Sequence, residues 1–140
     1  MEVDIRYTCS DADWGLVSET LKRVGMAHYA PETHRRAFEA SHTTVFLYHG
    51  PRLIGFGRAI SDGAYQGAVY DVAVVPEFQH KGYGRLILQK ILERLSGCNV
   101  ILYAAPGKEA FYRKLGLRKM KTGMALFKDP ARMSERGFIE

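Results

Sequence analysis

Residues 69–75, Val-Tyr-Asp-Val-Ala-Val-Val, lead through Pro76 and Gln79-His80-Lys81-Gly82-Tyr83-Gly84-Arg85 into a segment with helical apolar spacing. Few folds accommodate that succession. The first part is β-branched and aromatic enough for a strand, and Leu88, Ile91, Leu92 and Leu95 mark one face of a helix. Gly82 and Gly84 then stand at the helix N-terminus, where unpaired amide N–H groups and the positive end of the macrodipole lie. The missing side chains admit a pyrophosphate to the backbone. Lys81 and Arg85 supply positive charge beside it.

Spacing excludes two common phosphate loops. A dinucleotide fingerprint needs a small residue three positions after Gly84, where Ile87 stands, and Gly84-Arg85 lacks the Gly-Lys-Ser/Thr of a nucleoside triphosphate loop. What remains, Q-x-x-G-x-G over residues 79–84, resembles the acetyl-CoA pyrophosphate loop of the GNAT superfamily of N-acetyltransferases. Val72-Ala73-Val74-x-Pro76 is similar to that family's fourth strand. Ala110-Phe111-Tyr112-Arg113-Lys114-Leu115-Gly116-Leu117 resembles its A-x-F-Y-x-K-L-G-F segment, and the two motifs together are more specific than either alone. Leu53-Ile54-Gly55-Phe56-Gly57-Arg58 with Ser61-Asp62-Gly63 is similar to small bacterial and serotonin N-acetyltransferase-like members. The resemblance covers residues 1 to about 128.

Local signals outline the remaining elements. Residues 3–9 suggest a first strand, and Ser10 with Asp13 resembles a capping signal for a helix that buries Trp14, Val17, Leu21 and Val24 and ends at Gly25. A second helix begins at Pro31 and runs through Phe38. Residues 43–49 and 53–60, separated by Gly50-Pro51-Arg52, read as a hairpin. Residues 99–104 read as a strand, 107–115 as a short helix stopped by Gly116, and 124–127 as a closing strand. The order β, α, α, β, β, β, α, β, α, β, β matches the GNAT arrangement. The expected fold is therefore α/β: a central mixed, mostly antiparallel sheet of six to seven strands flanked by about four helices. One domain is expected over residues 1–140, with 129–140 as a C-terminal tail.

A chain of 140 residues suffices for one core, burying on the order of 68% of its unfolded surface. No apolar run approaches the ~18 residues of a membrane span, and residues 1–4 lack the basic and apolar regions of a signal peptide, so a cytoplasmic protein without membrane partners is expected. Cys9 and Cys98 read as reduced structural thiols, and no His/Cys cluster has metal spacing. Twenty basic against fifteen acidic residues leave a net charge of +5. Lys108, Arg113, Lys114, Arg118, Lys119 and Lys121 cluster without any nucleic-acid-binding motif, so no nucleic-acid partner is expected.

The resemblance implies acetyl-CoA as cosubstrate, with Gln79, His80, Lys81, Gly82, Tyr83, Gly84 and Arg85 at its phosphates and the backbone of Val72, Ala73 and Val74 at its pantetheine amides. Ala104-Ala105-Pro106 stands where many relatives place a pantetheine-binding asparagine, so that contact has no counterpart in the motif here. The second substrate would be an amine. With a lysine-like pKa of ~10.4, roughly one amine in 2,500 is neutral at pH 7, a deprotonation cost of about 4.6 kcal/mol. A base or water chain must supply it. Asp71 is costly to bury in so apolar a strand unless paired, hydrogen-bonded or open to a cavity. It serves either as that base or as a tie to a neighbouring loop. The bulge implied by the resemblance leaves Asp71 and Tyr70 equally open as the group near the amine.

Tyr112 fits a general acid, because a phenol with a pKa of ~10 stays protonated at pH 7 and can donate to a departing CoA thiolate. Phe111 reads as core. His28 and Tyr29 lie in the loop that caps the acceptor pocket in this family. Arg58 and Asp62 either line that pocket or pair with each other at the hairpin end. No serine or cysteine sits in a nucleophile motif, which points to direct attack in a ternary complex. The alternative is a catalytically weak acyl-CoA-binding or sensor domain. Oligomeric state is open, a homodimer among the alternatives.

Overall fold

A computed structural model describes residues 2–140, arranged in two compact units, one ending at Leu102 and the other Tyr103–Glu140. The first unit contains β1 (Asp4–Arg6), α1 (Trp14–Arg23), α2 (Pro31–Glu39), β2 (Thr43–His49), β3 (Arg52–Ser61), β4 (Gln66–Val74), a 3-10 turn (Pro76–Phe78), α3 (Tyr83–Arg94) and β5 (Asn99–Ile101). Its sheet runs β1-β2-β3-β4-β5. The first three pairings are antiparallel and the β4–β5 pairing is parallel, so the sheet is mixed and mostly antiparallel.

Local chemistry sets the helix ends. Asp13, rather than Ser10, caps α1, its Oδ1 accepting from the Leu16 amide at 3.0 Å. Pro31 occupies the first turn of α2, where its fixed φ is already helical. Val17, Leu21 and Phe38 from these helices are buried with Phe46, Tyr48, Leu53, Phe56 and Ala73 of the sheet. Trp14 covers them, its ring centroid 5.4 Å from Phe38 and 6.0 Å from Phe46. Each large apolar side chain so buried contributes about 1.5–3 kcal/mol.

Ile87, Leu88 and Ile91 bury the apolar face of α3. The helix lies so close to β3 that a Cβ on Gly57 would stand 2.9 Å from Ile87 Cγ2 and 3.0 Å from Ile91 Cδ1 and Val72 Cγ2. A Cβ on Gly55 would come within 2.9 Å of Ile87 Cδ1 and 3.2 Å of the Ala73 carbonyl oxygen. Gly57→Ala is therefore expected to destabilise the fold by about 1–3 kcal/mol through overpacking. Urea denaturation measures it, and an unchanged midpoint would show that α3 accommodates the methyl at no cost.

In the second unit, α4 (Glu109–Arg113) and α5 (Pro130–Glu135) are the helices. Tyr103 packs edge-on against Phe127 and Phe138, with centroids 5.5 and 5.9 Å away.

The expected six to seven strands and about four helices are corrected here: the described residues form five strands and five α-helices. A strand exists only through its ladder, and residues 117–128 have none. Met124 and Leu126 are 96% and 100% exposed, while Phe127 packs on Tyr103. The fifth helix lies in the expected tail, where the Asp129 carboxylate accepts from the Arg132 amide at 3.1 Å and Pro130 opens the first turn. The strand expected over residues 99–104 stops at Ile101, and the helix expected over 107–115 contracts to Glu109–Arg113. Among the described residues no helix is long and apolar enough to cross a membrane.

Candidate active site

The β4 strand carries the bulge that the resemblance implies. Phe56 pairs with Ala73 and Arg58 with Tyr70, so Asp71 and Val72 together stand opposite Gly57. Asp71 takes the extra residue's turn with φ 58°, in the left-handed region that Asp and Asn tolerate better than most side chains. The bulge changes which side chains share a face. Ala73 packs in the α1/α2 core, while the Tyr70 ring, three residues earlier, lies 5.3 Å from the Arg58 guanidinium, which also sits 5.7 Å from the core ring of Phe38. Val72 turns the other way, toward Gly57 and the side chains of α3.

Asp71 and Arg58 form one unit. Arg58 Nε donates to Asp71 Oδ2 at 2.8 Å, and Arg58 Nη1 donates to Ser41 Oγ at 3.3 Å. Both charged side chains are largely covered, so removing either one leaves the other's charge uncompensated, which makes the pair costly to break from one side. The alternative partner, Asp62, is engaged elsewhere. Its Oδ1 accepts from the amides of Ala64, Tyr65 and Gln66 at 2.8, 2.9 and 3.1 Å, and these hydrogen bonds hold its carboxyl below the usual range.

The expected phosphate loop follows directly. Gln79 is tied back to the strand by Nε2 donating to the Val74 carbonyl at 3.1 Å. His80 and Gly82 both have positive φ, 63° and 86°, and Gly82 is the N-cap of α3 with no side chain capping it. A Cβ on Gly82 would meet nothing within 4 Å. The first-turn amides of Tyr83, Gly84 and Arg85 have no carbonyl earlier in their own helix to bond, and Lys81 and Arg85 are exposed beside them. Such a terminus favours an anion. At the other end of β4, β5 pairs with Gln66, Gly67 and Ala68 only. Among the described residues, 72–74 therefore have a neighbouring strand on the β3 side alone. Their other edge presents backbone groups that an extended amide chain can pair with.

Residues 26–30 connect α1 to α2 and hold both His28 and Tyr29 exposed. His28 Nδ1 lies 3.4 Å from the Met26 carbonyl. Tyr29 is tied at both backbone groups: its amide donates to His34 Nε2 at 2.9 Å and its carbonyl accepts from Ser18 Oγ at 2.5 Å. His34, on α2, is only 3% exposed. His34 is not among the site residues expected from the sequence. The available signal was its place one helical turn before Phe38, on the buried face of α2.

Tyr112 lies on α4 in the second unit, its ring edge-to-face with Phe111 at 5.1 Å between centroids. Burial pushes its phenol above the ordinary tyrosine value, so it is a proton donor throughout the neutral range. Phe111, expected in the core, is instead 37% exposed.

The model of the acetyltransferase (GNAT) family matches residues 12–117. The chain is 35% identical over 120 residues to serotonin N-acetyltransferase 2, chloroplastic, of Oryza sativa subsp. japonica, covering 80% of this chain and 60% of that protein. It is 36% identical over 130 residues to the uncharacterized N-acetyltransferase ycf52 of Porphyra purpurea, covering 86% of this chain and 67% of that protein. Among solved structures, SA2161 of meticillin-resistant Staphylococcus aureus superposes with a TM-score of 0.78 at 26% identity, covering 90% of this chain and 99% of that one. This chain belongs to the GNAT family of acetyltransferases. It spans only about 60% of the length of the rice serotonin N-acetyltransferase that it resembles.

Proposed function

We propose that this chain is an acetyl-CoA-dependent N-acetyltransferase that passes the acetyl group to a primary amine by direct attack in a ternary complex. The observation that carries the reading is the junction of β4 and α3. An uncapped helix N-terminus opens at Gly82, φ 86°, next to a strand whose residues 72–74 keep one edge without a strand neighbour. A pyrophosphate suits the first and pantetheine amides suit the second. Gln79, His80, Lys81, Gly82, Tyr83, Gly84 and Arg85 form the phosphate side, and Val72, Ala73 and Val74 the pantetheine side.

The amine nitrogen must lose its proton before it attacks the thioester carbon. Asp71 is the proposed acceptor of that proton, directly or through water. Arg58 occupies only its Oδ2, and Tyr70, His28 and Tyr29 complete the acceptor side. Bond formation from nitrogen to carbon gives a tetrahedral intermediate, whose collapse breaks the carbon–sulfur bond and releases CoA thiolate. Tyr112 is the proposed donor to that sulfur. Direct attack is supported by Cys9, whose thiol burial pushes up, which disfavours the thiolate that a covalent route through it would need.

The test is a free-thiol release screen with acetyl-CoA and a panel of amines, alongside calorimetric binding of acetyl-CoA. Binding without turnover by any amine would replace the enzyme with an acyl-CoA sensor. Within the panel, Asp71→Asn should slow a basic alkylamine by on the order of 10²-fold and an arylamine or hydrazine, already neutral at pH 7, far less. Asn keeps the left-handed turn and an oxygen for Arg58, so the bulge survives. Equal losses for both amine types in single-turnover rates would make Asp71 a positioning group.

A further inference from the structure

The α1–α2 loop is fastened by an unusual hydrogen bond for a buried histidine. His34 Nε2 accepts the Tyr29 amide at 2.9 Å, so this nitrogen carries no proton and the ring is neutral, with its proton on Nδ1. The rings of Tyr29 and His34 lie 5.6 Å apart, and Ser18 holds the Tyr29 carbonyl from α1. A second proton on the imidazole would turn Nε2 into a donor facing an N–H donor. The hydrogen bond cannot survive that change.

We infer that His34 is a positioning residue: neutral, it holds Tyr29 and the α1–α2 loop in place on the acceptor side, and its protonation releases them. The inference rests on the function proposed above. Geometry ties the imidazole to that side independently of the loop. One turn along the same face of α2, Phe38 underlies Arg58, and Ser41, just past the helix, bonds to it. The charges acting on His34 are Asp71 from β4, which favours protonation, and Arg58 from β3 and His28 from the loop, which oppose it. Burial, the largest influence, outweighs Asp71 and, together with Arg58 and His28, holds the pKa below the ordinary histidine value of 6.5.

The sign follows from linkage. The open or unfolded chain binds a proton below its pKa of about 6.5 and the closed form resists it, so closure is fully favoured above that pH and weakens as pH falls. Acidification should therefore weaken acceptor binding and leave acetyl-CoA binding alone.

His34→Gln supplies an oxygen that accepts the Tyr29 amide and does not titrate. His34→Phe keeps bulk and supplies no acceptor. The ratio of acceptor KM in wild type to that in His34→Gln should rise on the order of tenfold between about pH 7.5 and about pH 5.5, because one proton changes binding at most tenfold per pH unit. The ratio also cancels protonation of the amine itself. The KM for acetyl-CoA should not follow. A second readout needs neither turnover nor variants: in wild-type protein, hydrogen exchange at the Tyr29 amide should accelerate as the imidazole, followed by nitrogen NMR, takes up its proton. Exchange that ignores this titration, or a protonated Nε2 at neutral pH, overturns the inference. Responsive exchange with a flat KM ratio also overturns it, because the loop would then not position the acceptor. If no amine is turned over, the acetyltransferase reading fails while the exchange experiment still decides whether His34 holds the loop.

Discussion

Replacing Tyr112 by phenylalanine should lower turnover on the order of 10²-fold, the scale of a lost general acid, while acetyl-CoA affinity stays close to wild type. The change deletes one hydroxyl and keeps the ring that packs edge-on against Phe111. Because burial raises the phenol pKa, the wild-type hydroxyl holds its proton across the pH range in which an amine begins to be neutral. In the proposed mechanism that proton would be available to the departing thiolate. Single-turnover rates isolate the chemical step from CoA release. A wild-type rate under those conditions would reduce Tyr112 to a packing residue, and the Phe-Tyr motif would have misled about its role.

Gly82→Asp should abolish the stabilisation that acetyl-CoA gives the wild-type protein, about 2.7 kcal/mol at one hundred times the dissociation constant. Two opposing effects need to be weighed. Aspartate is a favoured N-cap in general, but a capping carboxylate works from an extended backbone, and Gly82 has φ 86° and ψ 7°. The unliganded variant should accordingly lose about 1–2 kcal/mol for a side chain in left-handed backbone. The larger effect comes on addition of CoA. The new side chain projects into the open space where the phosphates would lie, since nothing of the protein stands within 4 Å of that Cβ position, and its charge repels them. Thermal shifts with and without CoA measure both quantities. Equal CoA-induced shifts in the two proteins would put the phosphates elsewhere.

Legibility from the sequence followed the range of the interaction. The α3 loop was readable because strand, glycines and apolar helical face lie in one continuous stretch, and the ends of β2 and α2 followed from turn and proline signals nearby. The bulge was expected from resemblance alone, and its exact place depended on β3 register. Arg58 illustrates the limit. Asp62 is nearer in sequence, but antiparallel pairing sets Arg58 opposite Tyr70, one residue from Asp71, and the hairpin amides claim Asp62. Residues 124–127 have strand-forming side chains without the partner that makes a strand, a fact no local pattern records. The α5 helix has a local signal, since Asp129-Pro130 is an N-cap followed by a first-turn proline, although no apolar face repeats through so short a segment to mark it as a helix. The place of His34 on the buried face of α2 is legible, but its partner is a backbone amide, which carries no sequence signature.

The bare backbone of β3 at Gly55 and Gly57 has a consequence beyond packing. The two residues act as a spacer of zero thickness between sheet and helix, and the helix they admit is the one whose N-terminus begins at Gly82. A side chain inserted there would press on Ile87 and Ile91, and if the helix yields, its amide cluster would move outward from residues 72–74. In the proposed binding mode a ligand bridging the helix N-terminus and the strand edge has a fixed length, so the thickness of β3 would act as a ruler for it from the far side of the helix. Affinity for a long ligand would be adjusted at positions that never touch it.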